Sequence, residues 1–222
     1  IKKLITMSFT LLDTNINASI HAGLDSAQLL IARHDAIIHH RAYGNANLST
    51  LFDIASLTKI FSITALFQHY VANQTIRLDL TLQEIFPEQF KTVALTNKAN
   101  ITIKMLLAHE AGFEPNPLFY DQNYSSELFC QNRDEFLTKL LRAPLIHDPQ
   151  SQSLYSDVDF MLLTFILEHL LGARIDQIWS QTFPRLTTER ICYQPLQHGY
   201  CLEEIAPTEL HGNTRDHFIH FD

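Results

Sequence analysis

A serine and a lysine three residues apart give the strongest chemical signal in the sequence. Ser56-Leu57-Thr58-Lys59 is the only Ser-x-x-Lys tetrad in the 222 residues. On a helix, positions i and i+3 share a face, so the Lys59 amine can reach the Ser56 hydroxyl. A serine hydroxyl becomes a strong nucleophile when a neighbouring base takes its proton, and an amine does so only when it is neutral. The pair therefore predicts attack by Ser56 on a carbonyl carbon.

Apolar residues surround the tetrad, and this pattern predicts that Lys59 is shielded from water. The neighbours that we expect to shield it are Ile54, Leu57, Ile60 and Ile63. Burial lowers the pKa of a lysine, which favours its neutral form. A serine that opens a helix also lies beside free backbone N–H groups, one of which can stabilise an oxyanion. Because a Ser-x-x-Lys occurs by chance about once in a chain of this length, the tetrad alone does not establish catalysis.

A hairpin followed by helices is predicted to position these residues. Two β-rich runs over 27–32 and 36–43, joined by the polar turn Arg33-His34-Asp35, predict an antiparallel hairpin. Apolar residues at helical spacing then follow over 56–72. Further helices are predicted over 81–86, 102–109, 127–141, 157–171 and 174–183, with Thr102 as an N-terminal cap and Gly172 at a C-terminus.

The octad Phe52-Asp53-Ile54-Ala55-Ser56-Leu57-Thr58-Lys59 resembles the nucleophile motif of class C β-lactamases and related serine hydrolases of the penicillin-binding-protein superfamily. Further segments resemble the same family in the same order, over about residues 20 to 210. They are Leu78-Asp79-Leu80, a run over 101–112 that ends in Leu-Leu-x-His-x-x-Gly, Tyr155-Ser156-Asp157, the helix end at 168–172, and 205–209. Several matches in order are more specific than any one of them. We expect His109, within the second of these segments, to be structural.

Tyr155-Ser156-Asp157 resembles the Tyr-x-Asn motif of this superfamily, whose tyrosine moves the proton together with the lysine. The resemblance implies that Tyr155 is catalytic and that Asp157 supports the site in place of the usual asparagine. An aspartate keeps an acceptor for Lys59 but loses the amide donor. Since it also favours the charged lysine, we expect the role of proton acceptor to shift toward Tyr155. Without the resemblance, Tyr155 is a packing aromatic and Asp157 a helix cap.

The third motif of the superfamily, a Lys-Thr-Gly or His-x-Gly on a strand near the C-terminus, has no match here. The sequence contains no Lys-Thr-Gly or Lys-Ser-Gly. His21-Ala22-Gly23 precedes the nucleophile, and His198-Gly199 and His211-Gly212 lack the spacing, so we interpret all three as accidental. The resemblance also implies further strands and a terminal helix after about residue 210. We therefore expect that the chain lacks the C-terminal part of the fold.

The resemblance implies an α+β fold of the β-lactamase/transpeptidase type, with a mainly helical region and an antiparallel sheet that looks incomplete in this chain. Residues 1–60 are expected to form the N-terminal part of the sheet region, including the hairpin and the start of the nucleophile helix. Residues 61–205 are expected to form the helical region. Residues 206–222 are expected to begin a truncated return to the sheet.

Composition excludes several other classes of protein. With 16 Lys and Arg against 24 Asp and Glu, the net charge is −8. The basic residues form no stripe, so we expect no nucleic-acid partner. No apolar run is long enough for a membrane span, and no signal peptide is visible at the N-terminus. The resemblance implies a periplasmic or cell-envelope location, but the sequence leaves the compartment and the oligomeric state open. The three cysteines and twelve histidines form no disulfide framework and no zinc motif, so we predict neither metal nor cofactor.

Three functional hypotheses remain open at this point. The first is a serine acyl hydrolase that forms a Ser56-linked acyl-enzyme on a β-lactam, a D-Ala-D-Ala peptide of the peptidoglycan type, or an ester. The second is a catalytically inactive or truncated relative that serves as a binding or scaffold module, which the missing third motif favours. The third is a generic helical domain with one hairpin, in which Ser56, Lys59 and Tyr155 would lie far apart.

Overall fold

The computed structural model of the protein describes residues 9–92, 97–187 and 190–208. Contacts divide the described residues into two units, one within 9–54 and 194–208 and the other within 55–193. The domain boundaries that we predicted at residues 60 and 205 stay predictions. Residues 209–222, most of the predicted return to the sheet, lie outside the described residues.

The first unit contains the predicted hairpin. Helix α1 (Thr10–His21) precedes strand β1 (Ser26–Arg33), which pairs antiparallel with β2 (Ala36–Gly44). Asp13 of α1 accepts hydrogen bonds from Arg41 and Tyr43 of β2, so charge and hydrogen bonding attach the helix to the strand. Gly44 has a φ of 65°, and a Cβ there would lie 2.1 Å from the Asp25 carbonyl oxygen. Only glycine allows this approach, which closes the hairpin onto the residue that precedes it.

A later segment returns to the first unit. Short 3₁₀ helices span Pro195–His198 and Leu202–Glu204. The Leu51 N–H then donates to the Glu204 carbonyl oxygen (2.8 Å), and the Ala206 N–H donates to the Leu51 carbonyl oxygen (2.8 Å). These two bonds form a parallel bridge, so residues near 205 pair with the stretch that precedes the tetrad.

The second unit begins with an irregular helical stretch. A 3₁₀ turn (Ala55–Leu57) leads into a π-helix (Lys59–Thr64), which continues as the α-helix α2 (Ala65–Ala72). We predicted one regular helix over 56–72, and this prediction was wrong in its geometry. The Trp179 indole N–H donates to the Phe61 carbonyl oxygen (3.3 Å), and the Tyr193 hydroxyl donates to Ser62 Oγ (2.6 Å). The Trp179 bond goes to a backbone carbonyl of the π-helix, and an outside bond to the backbone accompanies wide turns of this kind.

The remaining helices enclose one apolar core. They are α3 (Leu82–Ile85), α4 (Pro87–Thr92), α5 (Ile103–Leu107), α6 (Arg133–Arg142), α7 (Asp157–Leu171), α8 (Ile175–Thr182) and α9 (Pro184–Thr187). Helix α7 packs against α5, α6 and α8, and buries side chains over most of its surface. It ends at Gly172, which has a φ of 69° in the left-handed conformation. The predicted bounds of α7 are confirmed.

Helix α6 begins later than we predicted. Its first residue is Arg133 instead of residue 127, because the Asn132 side chain accepts the Asp134 N–H (2.9 Å) and caps the helix there. The preceding residues bond elsewhere, as the Cys130 N–H does to the Phe119 carbonyl oxygen (2.9 Å). Apolar spacing extended into this stretch, but the cap residue sets where the helix begins.

A tight loop crossing joins the segment after α5 to the segment after α6. Gly112 has a φ of 90°, and a Cβ there would lie 2.2 Å from the His147 carbonyl oxygen. The Ile146 N–H donates to the Gly112 carbonyl oxygen (2.9 Å), and Phe113 pairs with Leu145 in an antiparallel bridge. This crossing fixes the course of residues 112–115, whose backbone carbonyl groups accept hydrogen bonds from Ser156 and Asp157. No helix in the described ranges is long and apolar enough to cross a membrane.

Candidate active site

Three of the predicted site residues meet at one point in the second unit. The Lys59 amine lies 3.1 Å from Ser56 Oγ, and the Tyr155 hydroxyl lies 3.0 Å from the same oxygen. Both are hydrogen-bond distances, although Tyr155 is 99 residues away from Ser56 in the chain. The structure therefore brings Ser56, Lys59 and Tyr155 together, whereas the generic helical domain would have left them apart.

Asp157, the fourth predicted residue, bonds to the lysine. Its Oδ1 accepts from Lys59 Nζ at 2.8 Å. The Lys59 amine also lies over the rings of Tyr155 and Phe160, at 5.0 and 5.9 Å from their centroids. Burial lowers the pKa of Lys59, but hydrogen bonds and charge from Asp157 and Tyr155 outweigh it, so the net pKa is raised. Lys59 is therefore a charged ammonium in the resting site.

The residues that shield Lys59 differ from those we predicted. Ile54, Leu57 and Ile60 have exposed fractions of 38%, 52% and 61%, and only Ile63 of the predicted set is buried. The Lys59 side chain is nevertheless only 17% exposed. Its cover comes from Tyr155, Phe160 and Asp157, since the π-helical turn points Lys59 toward α7 while its apolar neighbours face outward.

The nucleophile segment, residues 55–64, presents Ser56 to solvent. Ser56 is exposed, and Ala55 immediately before it has a φ of 45°. An alanine in the left-handed region is uncommon and carries steric strain between its Cβ and the backbone. The turn that presents the serine hydroxyl is therefore held in place by the surrounding structure.

The tyrosine segment, residues 154–159, is fixed by bonds to the loop after α5. The Leu154 N–H donates to the His109 carbonyl oxygen (2.8 Å), and the Asp157 N–H donates to the Pro115 carbonyl oxygen (2.8 Å). Between them, the buried Ser156 donates from Oγ to the Glu114 carbonyl oxygen (2.7 Å). Both chain neighbours of Tyr155 are thus anchored, which sets the position of its ring.

Two further residues contact this site, and sequence reasoning did not assign them to it. His109 Nδ1 lies 2.8 Å from Asp159 Oδ2, and the His109 ring lies 4.7 Å from the Tyr155 ring, centroid to centroid. Burial raises the pKa of Asp159 to about 8. Burial, followed by the charge of Lys59, lowers the pKa of His109. A signal for Asp159 was present in the sequence, since it is a carboxylate inside the apolar run that opens α7.

The His–Gly sequences that we interpreted as accidental are not on strands where the structure describes them. His21-Ala22-Gly23 lies at the C-terminal end of α1, and His198-Gly199 lies at the end of a 3₁₀ helix. His211-Gly212 lies outside the described residues. Within the described ranges, no group of three or more His, Cys, Asp or Glu side chains is arranged to hold a metal ion, and the three cysteines are free thiols.

The sequence matches a known protein family. The β-lactamase family model matches residues 12–191. A protein of Salmonella gallinarum named "Putative D-alanyl-D-alanine carboxypeptidase" is 31% identical over 229 aligned positions, which cover 95% of this chain and 53% of the relative. A Salmonella agona protein of the same name is also 31% identical over the same shares of both chains. The chain thus spans about half the length of the curated relatives it matches.

Solved structures share the fold at lower identity. The octameric penicillin-binding protein homologue from Pyrococcus abyssi has a TM-score of 0.68 at 16% identity, over 90% of this chain and 47% of that one. A class C β-lactamase from Rhodobacter sphaeroides has a TM-score of 0.58 at 20% identity, over 81% and 49%. These likenesses confirm the predicted β-lactamase/transpeptidase-like fold. With a family match over most of its length, the chain belongs to the β-lactamase family.

Proposed function

We propose that the protein is a serine acyl hydrolase in which Ser56 is the nucleophile and Tyr155 and Lys59 transfer its proton. One observation carries the proposal: Ser56 Oγ lies within hydrogen-bond distance of both the Lys59 amine and the Tyr155 hydroxyl. A nucleophile in contact with a base that is itself oriented by a third group is the general arrangement for covalent acyl transfer. The family match supports the same reaction class.

The charge on Lys59 decides which group accepts the proton. Asp157 holds Lys59 in its charged form, so the resting ammonium has no lone pair with which to take a proton. We assign the accepting role to the Tyr155 oxygen, which lies 3.0 Å from Ser56 Oγ and relays the serine proton to the leaving group. Ser56 Oγ then bonds to the carbonyl carbon while its proton passes to Tyr155.

The second half of the reaction reverses this proton transfer. The tetrahedral intermediate collapses, the bond to the leaving group breaks, and the leaving group takes the proton from Tyr155. Water then attacks the Ser56 acyl ester and gives a proton to Tyr155, which passes it to Ser56 Oγ as the Oγ–acyl bond breaks and the acid leaves. Asp157 remains paired with Lys59 throughout, so its role is to keep the ammonium charged and oriented.

For the substrate, we propose a D-alanyl-D-alanine peptide ahead of a β-lactam or a simple ester. The support is the name of the relatives at 31% identity. EstCE1, a protein of similar fold, is described as a hydrolase with promiscuous acyltransferase activity. Esters therefore stay among the substrates to be tested. Because Asp157 already pairs with Lys59, we do not assign Lys59 to binding a substrate carboxylate.

Covalent labelling tests the reaction class. The protein is incubated with a fluorophosphonate probe and with a fluorescent penicillin, and its intact mass is then measured. We expect one adduct on Ser56, no adduct on Ser56→Ala, and an unchanged adduct on Ser49→Ala, which alters another exposed serine of the same stretch. No adduct on the unaltered protein, or an adduct that survives Ser56→Ala, would contradict the assignment.

A binding or scaffold module is the second candidate, and the observation that favours it is that these 222 residues contain no Lys-Thr-Gly sequence. Turnover of a D-Ala-D-Ala peptide, measured as released D-alanine, separates the two candidates. An enzyme releases D-alanine and loses this activity in Ser56→Ala. A binding module holds the peptide equally well before and after Ser56→Ala, and neither form releases D-alanine.

A further inference from the structure

Behind Tyr155 lies a histidine whose ring is in contact with two aromatic side chains. The His109 ring centroid is 4.7 Å from that of Tyr155 and 5.1 Å from that of Phe160. His109 has a φ of 55°, so its backbone is in the left-handed region, where a non-glycine residue is held only by its surroundings. Its carbonyl oxygen accepts the Leu154 N–H (2.8 Å), next to Tyr155 in the chain. The backbone of His109 therefore holds the residue next to Tyr155, and its ring contacts the Tyr155 ring.

The partner of this ring is a buried carboxyl group. The Asp159 side chain is 1% exposed, and its Oδ2 lies 2.8 Å from His109 Nδ1. Among the described residues, Asp159 Oδ1 has no hydrogen-bond partner. A carboxylate with one oxygen unpaired in an apolar interior is costly, whereas a neutral carboxylic acid is far less so.

A second contact to the same nitrogen indicates where the shared proton lies. The Ser156 backbone N–H points at His109 Nδ1 over 3.3 Å. A backbone N–H only donates, so this contact requires a lone pair on Nδ1 and not a hydrogen. The proton between Nδ1 and Oδ2 then belongs to Asp159, which donates it to the ring. The burial of Asp159 favours the same protonation state.

We propose that Asp159, as a neutral carboxylic acid, donates a hydrogen bond to His109 and that this pair positions Tyr155 for proton transfer with Ser56. The proposal rests on the proposed function and extends it to two residues that do not touch Ser56. The single lone pair of His109 Nδ1 is shared by the Asp159 hydroxyl and the Ser156 N–H in a three-centre hydrogen bond, which fixes the backbone beside Tyr155 as well as the contact with its ring. Both residues are positioning residues, since they act through Tyr155.

Ionisation of Asp159 changes the hydrogen bonding of this pair. Once Asp159 loses its proton, His109 must carry a hydrogen on Nδ1 to bond the carboxylate, and the Ser156 N–H loses its acceptor. A negative charge also appears beside the charges that already face His109, the Lys59 ammonium and the Asp157 carboxylate. Tyr155 is then less well placed, so acylation of Ser56 falls as pH rises through the ionisation of Asp159, near pH 8.

Two substitutions of Asp159 show whether the site needs a hydrogen-bond donor or an ionisable carboxyl group. In Asp159→Asn an amide N–H can replace the acid proton, and in Asp159→Leu no donor remains, while an apolar side chain suits the buried site. We expect the fluorophosphonate to label Ser56 in the Asn variant within about threefold of the unaltered rate, without the decline near pH 8. We expect labelling of the Leu variant to be slower by about tenfold or more, as for a displaced catalytic group.

Nuclear magnetic resonance tests the pair without requiring activity. The protein is labelled with ¹⁵N-histidine, and the His109 signals are assigned as those that disappear in the His109→Gln variant. We expect His109 Nδ1 to carry no hydrogen at about pH 6 and to gain one as Asp159 ionises. With tyrosine labelled at Cζ, the Tyr155 signal, assigned by Tyr155→Phe, should move over the same pH range. Neither change should occur in Asp159→Asn.

The outcomes distinguish this proposal from the proposed function. If the unaltered protein takes no fluorophosphonate at any pH, the hydrolase assignment fails, and the two NMR titrations alone decide the pair. A hydrogen on His109 Nδ1 at about pH 6, or a Tyr155 signal that does not follow the ionisation of Asp159, overturns the pair. So does an Asp159→Leu variant that labels at the unaltered rate with the unaltered pH profile.

Discussion

The two segments that meet at Ser56 are built in opposite ways. The nucleophile segment, residues 55–64, combines a 3₁₀ turn with a π-helix and exposes Leu57, Ile60 and Phe61. The tyrosine segment, residues 154–159, buries Ser156 and Asp159 completely and bonds to the loop after α5 through several backbone groups. In the proposed reaction, the first segment presents the Ser56 hydroxyl, and the second sets the position of Tyr155 and Asp157.

This difference predicts how the two segments respond to substitution. Side chains of the nucleophile segment that face outward can be changed with little loss of packing, so their removal should alter reactivity more than stability. Substitutions in the tyrosine segment, or in the loop that bonds to it, remove buried hydrogen bonds, so they should alter both reactivity and stability.

Gly112→Ala should destabilise the protein by about 2–4 kcal/mol, because the new Cβ collides with backbone at a positive φ. A Cβ on Gly112 would lie 2.2 Å from the His147 carbonyl oxygen. The loop that follows supplies the carbonyl oxygens that hold Ser156 and Asp157, so labelling of Ser56 should slow as well.

The matched control for this substitution is Gly172→Ala. Gly172 also has a positive φ, 69°, but a Cβ there meets nothing within 4 Å. It should cost only about 1 kcal/mol and leave labelling unchanged. Urea denaturation of both variants measures the difference. Equal losses of stability would show that the crossing at Gly112 does not support the tyrosine segment.

Asp159→Asn should change how stability depends on pH. Burial raises the pKa of Asp159 from 3.8 to about 8, so between these values the folded protein holds a proton that the unfolded chain has released. Stability of the unaltered protein therefore falls as pH rises from about 4 to about 8, and Asp159→Asn lacks this fall. Within this range the variant should gain at most about 1.4 kcal/mol per pH unit relative to the unaltered protein, measured by urea denaturation at several pH values.

A control of opposite sign is available on the surface. The hydrogen bond from Arg77 lowers the pKa of Asp79, so folding favours the ionised form of that carboxyl group. Asp79→Asn should therefore lose stability relative to the unaltered protein as pH rises through the acid range below 3.8. A shift of the same sign in both variants would contradict the assignment of a neutral Asp159.

Asp157→Asn should lower the pKa of Lys59. Burial lowers this pKa, and the hydrogen bond to Asp157 is the largest of the effects that oppose it, with the charge of Asp157 as a smaller one. Without the carboxylate, the Lys59 amine should become neutral, and reactive, at a lower pH. Trace labelling with acetic anhydride, followed by peptide mapping across a pH series, measures this directly.

Labelling of the exposed Lys104 serves as the internal standard in the same peptide map, since its reactivity should be the same in both proteins. An Asp157→Asn profile for Lys59 that does not move, or that moves to higher pH, would mean that Asp157 does not hold the ammonium charged. The proton would then be free to pass to Lys59 instead of Tyr155.

Ala55→Gly should stabilise the nucleophile segment by up to about 1 kcal/mol, because glycine adopts the φ of 45° without a Cβ clash. Ala65→Gly, in the regular helix α2, is the control, and it should destabilise by about 1 kcal/mol. Thermal denaturation compares the two. Destabilisation of similar size by both substitutions would indicate that Ala55 carries no strain.

Much of the fold followed from local sequence signals. The turn at Arg33-His34-Asp35 between two β-rich runs predicted the hairpin, and Gly172 predicted the end of α7, because both depend on a few adjacent residues. The start of α6 was missed because apolar spacing continued past the residue that caps it, Asn132. The π-helix at 59–64 was missed, and its contacts with Trp179 and Tyr193 join residues that are distant in sequence.

The same reasoning explains which parts of the site could be predicted. Ser56 and Lys59 share one helical turn, so their spacing alone placed them together. Tyr155 required the family resemblance, because no local rule relates residues 99 positions apart. The Asp159–His109 bond remained hidden, because the apolar run around Asp159 indicates burial but not which side chain, 50 residues away, it meets.

The most direct test of Ser56, Lys59 and Tyr155 as one unit is a double-mutant cycle on the rate of fluorophosphonate labelling of Ser56. Lys59→Met and Tyr155→Phe should each slow labelling by about 10²-fold or more, and the double variant should be little slower than either. Thr58→Ala, between the two active residues of the tetrad, should label at nearly the unaltered rate. Losses that multiply in the double variant, or a single variant that labels as fast as the unaltered protein, would contradict the unit.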